Sequence, residues 1–379
     1  MSADSSTTGK SGLRLPTVGV EEEFILVDQL TGHPVSRNRD VAAAAARRDL
    51  DLDLELTSCQ VEVATSACAT GQELLAELRE LRTVVAEAAD EVGVAVIAAG
   101  VPPTVPDHFP ITDTDRYRHI GQRFGMLAHE QGISGCHVHV GVSDRDTAVA
   151  VSNHLRHRLP ILLALSANSP VYRDADTGHA SWRSVLWSRW PASGPPPHLR
   201  SREHFEQLVS MFVASGAILD DHMVYWDIRP SDHLPTVEIR VGDVQSRADE
   251  AVVVATLVRA LVMTAVHDIA SDLAPPIVDS DVLAAAMWKA AHDGIDGDGI
   301  DGDGIDVVTQ QPVSAIAQME SLVTDIRPAL DALGEAALVE AALDRLRAEG
   351  NGATRRRDWF AQKGTGRDIV ESAAREFTG

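Results

Sequence analysis

The sequence predicts an α+β fold organised round one sheet, which carries a polar working face and is backed by helices. Three observations predict it. Several short β-type segments alternate an apolar residue with a charged or imidazole one, the period-two signature of a strand with two unlike faces. Longer stretches between them carry apolar residues at helical spacing. The polar strands are spread from Glu21 to Arg240 of the 379 residues, so one site draws on most of the chain. That favours one large catalytic domain, 15–379, behind a disordered polar tail, 1–14.

The first strand, Thr17 to Asp28, reads TVGVEEEFILVD. Glu21 and Glu23 share one face and Phe24 takes the other. Two carboxylates on one face of a sheet interior repel each other and lose hydration worth several kcal/mol per ion. A bound cation removes that cost, and an edge strand guarded by charge is the alternative. A turn at 30–34 and a short alanine-rich helix over 40–48 follow. In QVEVA, 60–64, Glu62 lies between two valines. Thr70 opens a helix through a capping box with Glu73. Leu74, Leu78, Leu81, Val85 and Ala88 form its buried stripe, and Gly93 closes it.

An apolar strand over 94–99 and a proline-rich loop precede a helix over 115–131 with Tyr117, Ile120, Phe124 and Leu127 inward. That helix delivers the chain into GCHVHVGV, 135–142, where His137 and His139 share a face; ordinary core histidines are the alternative. Asp144 caps the next helix, which Pro160 kinks. From 169 to 200 the periodicity fails, and arginines, prolines and three tryptophans read as a wall or lid over the site. Ser201 starts a helix to about 219. The segments 224–229 and 236–241, joined through SDHLP as a hairpin, pair Asp227 with Arg229 and Glu238 with Arg240 on their polar faces. An apolar helix over 247–271 backs the sheet, and Ser280 caps a shorter one. The Gly-Ile-Asp repeat at 293–306 reads as a solvated loop, because its order of Asp and Gly does not match an EF-hand. The remainder is helical.

Composition excludes some partners. With 33 basic and 56 acidic residues the net charge is -23. Nucleic acid and anionic membrane surfaces demand basic patches. The longest apolar run, 251–267, is interrupted by Arg259 and is too short to span a bilayer. Cys59, Cys68 and Cys136 form no CxxC pair, and an odd count without a secretory leader points to reduced thiols in the cytoplasm.

Carboxylates in number, with histidine and no thiol cluster, suit Mg²⁺ or Mn²⁺ better than zinc, and there are enough for more than one ion. Metal-binding acids beside arginines are the arrangement for phosphoryl transfer from a nucleotide. Neither a P-loop nor a GxGxxG turn is present, so metal and arginine on the sheet would hold it.

GVEEEFILVD, VEVAT, GCHVHVG, SWRSVLWSRWP with GPPP, and WDIRPSDHLPTVEIRVGD, in that order, resemble the carboxylate-amine ligase branch of the type 2 glutamate-cysteine ligases. The likeness covers nearly all of the chain from Leu15. It implies a glutamine-synthetase-like catalytic domain, an antiparallel sheet flanked by helices. It further implies a carbon-nitrogen ligase that uses ATP and Mg²⁺, with Mn²⁺ as the alternative, to join small amino-acid substrates as a γ-glutamyl amide through an acyl phosphate. Carried over residue by residue, it puts Glu21, Glu23, Glu55, Glu62, His137 and Glu238 at metal positions. Arg183, Arg229 and Arg240 fall at nucleotide positions, with Arg229, Arg240 and Glu238 in catalytic roles. Ser58 departs from the pattern, since close relatives can carry an acid there. A guanidino kinase and a non-catalytic nucleotide-binding regulatory protein stay open as alternatives, as does a homo-oligomer.

Overall fold

A computed structural model describes residues 15–105, 109–295 and 304–379. Strand β1 (Val18–Asp28) is central because both of its faces are needed. The main sheet runs β2 (Asp53–Leu54), β3 (Gln60–Ala64), β1, β5 (Gly135–Gly141), β9 (Thr236–Asp243), β8 (Ile228–Pro230), and β4 (Val94–Ile97) pairs with the far end of β1. Every pairing in it is antiparallel. The polar segments anticipated as one sheet are therefore hydrogen-bonded neighbours, and a short hairpin of β6 (Val171–Tyr172) and β7 (Ala175–Asp176) lies apart.

The even-numbered side of β1 faces the helices. Val18 and Val20, with Val138, Val140, Val237, Ile239 and Val241, are buried in one cluster with residues of α2 (Gly71–Glu91), α5 (Arg145–Leu155) and α9 (Ala248–Ala270). Phe24 and Leu26 join Val61, Val63 and residues of α1 (Asn38–Ala46). Thr70 and Glu73 form the anticipated capping box at the start of α2. At 23 residues α9 is, by length and composition, long and apolar enough to cross a membrane, contrary to the expectation from the run 251–267. Two thirds of its most apolar window is buried against the protein's own sheet and helices.

Local corrections have local causes. The helix anticipated over 115–131 is two, α3 (Asp115–Phe124) and α4 (Met126–His129), because Gly125 takes φ 57° and ψ -129°, a conformation open to glycine. The chain breaks before Pro160 into a 3-10 turn, and α6 (Leu159–Ser166) starts with that proline in its first turn. The irregular stretch contains the β6–β7 hairpin and a six-residue helix, α7 (Trp182–Trp187), and α8 (Arg202–Ser215) stops at left-handed Gly216. Asp279, rather than Ser280, caps α10 (Ser280–Asp293). In the Gly-Ile-Asp tract, Gly304–Asp306 is a strand, β10, paired with β11 (Gln311–Val313), so that end is not a loop. Residues 296–303 and the tail 1–14 lie outside the described residues. Five helices, α11 to α15, occupy Ala315–Asp325, Arg327–Leu333, Ala336–Glu349, Gly352–Lys363 and Gly366–Glu376.

Between Glu21 and Glu23, Glu22 points to the helical side, where it would be an isolated charge without Arg82 of α2. Both side chains are fully buried, and Arg82 Nε donates to Glu22 Oε2 at 2.9 Å. The same guanidinium donates to the backbone carbonyls of Gln245, Ser246 and Phe377, which fastens the sheet to the start of α9 and to the C-terminus. Arg82→Met strands Glu22 as an uncompensated buried charge and is expected to cost about 3–5 kcal/mol, read from the urea midpoint. A loss below about 1 kcal/mol, the range of an exposed pair, would show that water reaches this carboxylate.

Candidate active site

The register of the sheet sets the site. Glu23 lies directly opposite Glu62, Glu21 opposite His137, and Glu238 opposite both His139 and Arg229. Residues opposite one another on one face have Cβ atoms about 5 Å apart, so a continuous polar band crosses five strands. The β5–β9 pairing shifts register between Cys136 and Val138, and Arg240 Nη1 comes to 3.4 Å from His137 Nδ1. Glu55, just after β2, completes the band.

Three groups of side chains bring ligand atoms within 4.8 Å of one another: Glu21, His139 and Glu238; Glu21, Glu62 and His137; Glu23, Glu55 and Glu62. All six carried-over metal residues are in these groups. His139, which shares the His137 face but was not singled out as a ligand, joins them.

Electrostatically the band has two unlike halves. Burial would raise Glu21, but hydrogen bonding and charge from His137 and His139 outweigh it and hold the carboxyl well below its usual range. Glu238 is likewise held low against its burial by Arg240 and Arg229. Arg229 Nε donates to Glu238 Oε2 at 2.8 Å, and Arg240 bonds Oε1. Both arginines thus serve Glu238, and Asp227 is not the ion-pair partner that its spacing suggested. On the other half, burial and the neighbouring Glu55, Glu21 and Glu23 push Glu62 well above the ordinary carboxylate range. Burial also raises Glu23 against His137, although Gly135 N donates to its Oε2 at 2.6 Å.

These residues fit a divalent cation. Burial and the Arg240 charge push His137 down, toward the neutral form that ligates metals. His137 Nε2 lies 3.6 Å from Glu23 Oε1 and His139 Nε2 3.1 Å from Glu21 Oε1, so both imidazoles face the site carboxylates, while Thr236 Oγ1 at 3.0 Å from Nδ1 orients His139. The imidazoles and carboxylates without thiolate suit Mg²⁺ or Mn²⁺.

Above the band is a cavity of about 180 Å³. Arg183, Trp187 and Trp190 form one side of it, so the irregular stretch is a wall. Gln60, Tyr225 and Arg240 also line it, as do Arg116, Tyr117 and Gln131, which no motif marks. Arg229 and its partner Glu238 are outside the lining. The wall is pinned by Asp243 at the end of β9, whose carboxylate accepts from Asn168 N, Ser169 Oγ and Ser181 Oγ; Ser181 then caps α7. Arg183 reaches the cavity over Gly135, where a Cβ would lie 2.4 Å from Arg183 Nη2.

The model of glutamate-cysteine ligase family 2 matches residues 17–375. The chain belongs to that family. It is 52% identical over 361 residues to a Mycolicibacterium vanbaalenii protein named, provisionally, glutamate-cysteine ligase 2-2, covering 95% of this chain and 97% of that one. A Nocardia farcinica relative named in the same way, glutamate-cysteine ligase 2-1, is 49% identical over 340 residues, 90% of this chain and 88% of its own. In fold the chain is similar to the glutamate-cysteine ligase of Francisella tularensis solved with AMP, with TM-score 0.70 at 14% identity over 96% of this chain and 88% of that one. It also matches the ligase PafA, solved in complex with the ubiquitin-like protein Pup, with TM-score 0.54 at 12% identity over 98% and 73%. The protein is an ATP-dependent carboxylate-amine ligase of the glutamate-cysteine ligase type.

Glu62→Gln removes one of the repelling carboxylates. Without divalent cation the variant is expected to melt at or above wild type, and Mg²⁺ is expected to raise the melting temperature of wild type alone. Equal Mg²⁺ stabilisation of both proteins would take Glu62 out of the ligand set.

Proposed function

We propose that the protein forms a γ-glutamyl amide from glutamate and a small amine, through an acyl phosphate, with release of ADP and phosphate. The observation that supports this most is the meeting, in one cavity, of a carboxylate-rich face with the Arg183 and Arg240 guanidiniums. Glu21, Glu23, Glu55, Glu62, His137, His139 and Glu238 would hold Mg²⁺ or Mn²⁺, which supplies positive charge to the phosphates.

A carboxylate and an amine do not condense in neutral water, because the carboxylate oxygen is a poor leaving group and the amine is protonated. In the proposed reaction a glutamate carboxylate oxygen attacks the γ-phosphorus of ATP, and the bond to the β-phosphate oxygen breaks, releasing ADP. Arg183 and Arg240 bind and orient anionic groups, and stabilise charge on the equatorial oxygens in a site walled from water by Trp187 and Trp190. Arg229 holds Glu238 in place. The unprotonated amine then attacks the acyl carbon, and phosphate leaves with an oxygen that began in the carboxylate.

Incubation of ¹⁸O-labelled glutamate with ATP and a panel of amines tests both the product and the route. One label is expected in inorganic phosphate for each amide formed, and hydroxylamine is expected to intercept the intermediate as a hydroxamate. Amide formation with unlabelled phosphate would rule out the acyl phosphate, and release of AMP in place of ADP would indicate an adenylate.

A further inference from the structure

One acid between the wall and the sheet has no part in the reaction above. Asp227 immediately precedes β8. Its N–H donates to Gly194 O of the wall and its carbonyl accepts from Arg240 N–H of β9, each at 2.8 Å, so its backbone is held from both sides. The side chain is only 5% exposed, and Oδ2 has no hydrogen-bond partner. Leaving a buried carboxylate oxygen unmatched is costly. Burial, against the pull of Arg183 and Arg240, pushes the carboxyl up to about 7.

The two arginines carry the matching deficit. Nε of Arg183 and Nε of Arg240 are both buried without a partner. Arg240 has Glu238 as counter-ion, whereas no carboxylate oxygen among the described residues lies within ion-pair distance of Arg183. The Arg183 side chain makes only long bonds, to Val241 O at 3.5 Å and Arg240 O at 3.3 Å. Arg183 from α7 and Arg240 from β9 are also the charged groups whose fields act on Asp227. Asp227 is held against Arg240 by the backbone bond from Arg240 N, and Arg183 Nη2 reaches the Arg240 carbonyl, so a buried acceptor and two buried donors, all unmatched and with no ion pair among them, share one corner of the site, and both donors belong to side chains that line the cavity.

We propose that Asp227 is a positioning residue: when an anionic group of the substrate, a nucleotide phosphate or an amino-acid carboxylate, enters the cavity and takes up the Nη groups of Arg183 and Arg240, the Asp227 carboxylate closes on their Nε–H groups and holds both guanidiniums in that orientation. A guanidinium held at Nε keeps its Nη pair free for a second anion, and its planar fork transmits the orientation. The shared carboxylate also offsets repulsion between two guanidiniums in a site of low dielectric. The identity of the anion rests on the ligase reading; the geometry of the three groups does not.

Asp227→Asn keeps the shape and removes the charge. Affinities for ATP with Mg²⁺ and for L-glutamate are measured separately, without turnover, through the fluorescence of Trp187 and Trp190 in the cavity, and the melting temperature is taken on the same samples. At least one affinity is expected to fall about tenfold or more, with the melting temperature at or above wild type, because a buried unpaired carboxylate has been exchanged for a neutral amide. The ligand that weakens identifies the source of the anion. Unchanged affinity for both ligands, or a loss accompanied by a lower melting temperature, makes Asp227 structural and overturns the proposal. A wild-type protein that binds ATP but forms no amide would sink the reaction proposed above and leave this comparison readable.

Discussion

The repulsion among buried carboxylates on the β1 face is the constraint that shapes this molecule. Glu23, Glu55 and Glu62 converge to within 4.8 Å in surroundings that burial makes costly for charge. The fold offers no arginine ion pair to any of the three among the described residues. Its paired arginines serve the other half of the band, where Glu238 takes both Arg229 and Arg240. A cation held at the uncompensated half, as proposed, would both remove the repulsion and serve the chemistry, giving the instability and the function one origin.

The scaffold must resist that repulsion, and it does so from behind. Glu22, between the two site glutamates, is neutralised by Arg82, which also ties β1 to the start of α9 and to the C-terminal residues. Apolar partners on the helical side of β1, β5 and β9 fix the register. A one-residue slip would exchange the two faces and bury the site acids among valines. At the end of β9, Asp243 pins the aromatic wall, so the cavity is closed by the strand that supplies Glu238 and Arg240.

Much of this was legible because a strand's period of two leaves a plain trace: EEEF, QVEVA, CHVHV and VEIRV each show which residue faces the site. Cross-strand partners were less accessible, since register depends on pairings distant in sequence. Asp227 and Arg229 share a spacing that suggests a pair, yet Arg229 reaches across to Glu238. The break at Gly125 was missed because apolar spacing continues across it through Leu127. Arg116, Tyr117 and Gln131 enter the cavity through tertiary packing alone. His139 was visible on the His137 face, but only its distance to Glu21 and Glu238 makes it a ligand candidate. In the Gly-Ile-Asp tract, composition spoke for solvent, while the pairing of Gly304–Asp306 comes from a partner strand beyond the tract.

The central claim, that this face exists to hold divalent cations, is tested most directly by anomalous diffraction from crystals grown with Mn²⁺ and ATP. The account predicts peaks between Glu21, His139 and Glu238, between Glu21, Glu62 and His137, and between Glu23, Glu55 and Glu62. A map without anomalous density at these places, with Glu55 and Glu62 hydrogen-bonded to each other through a shared proton, would contradict it.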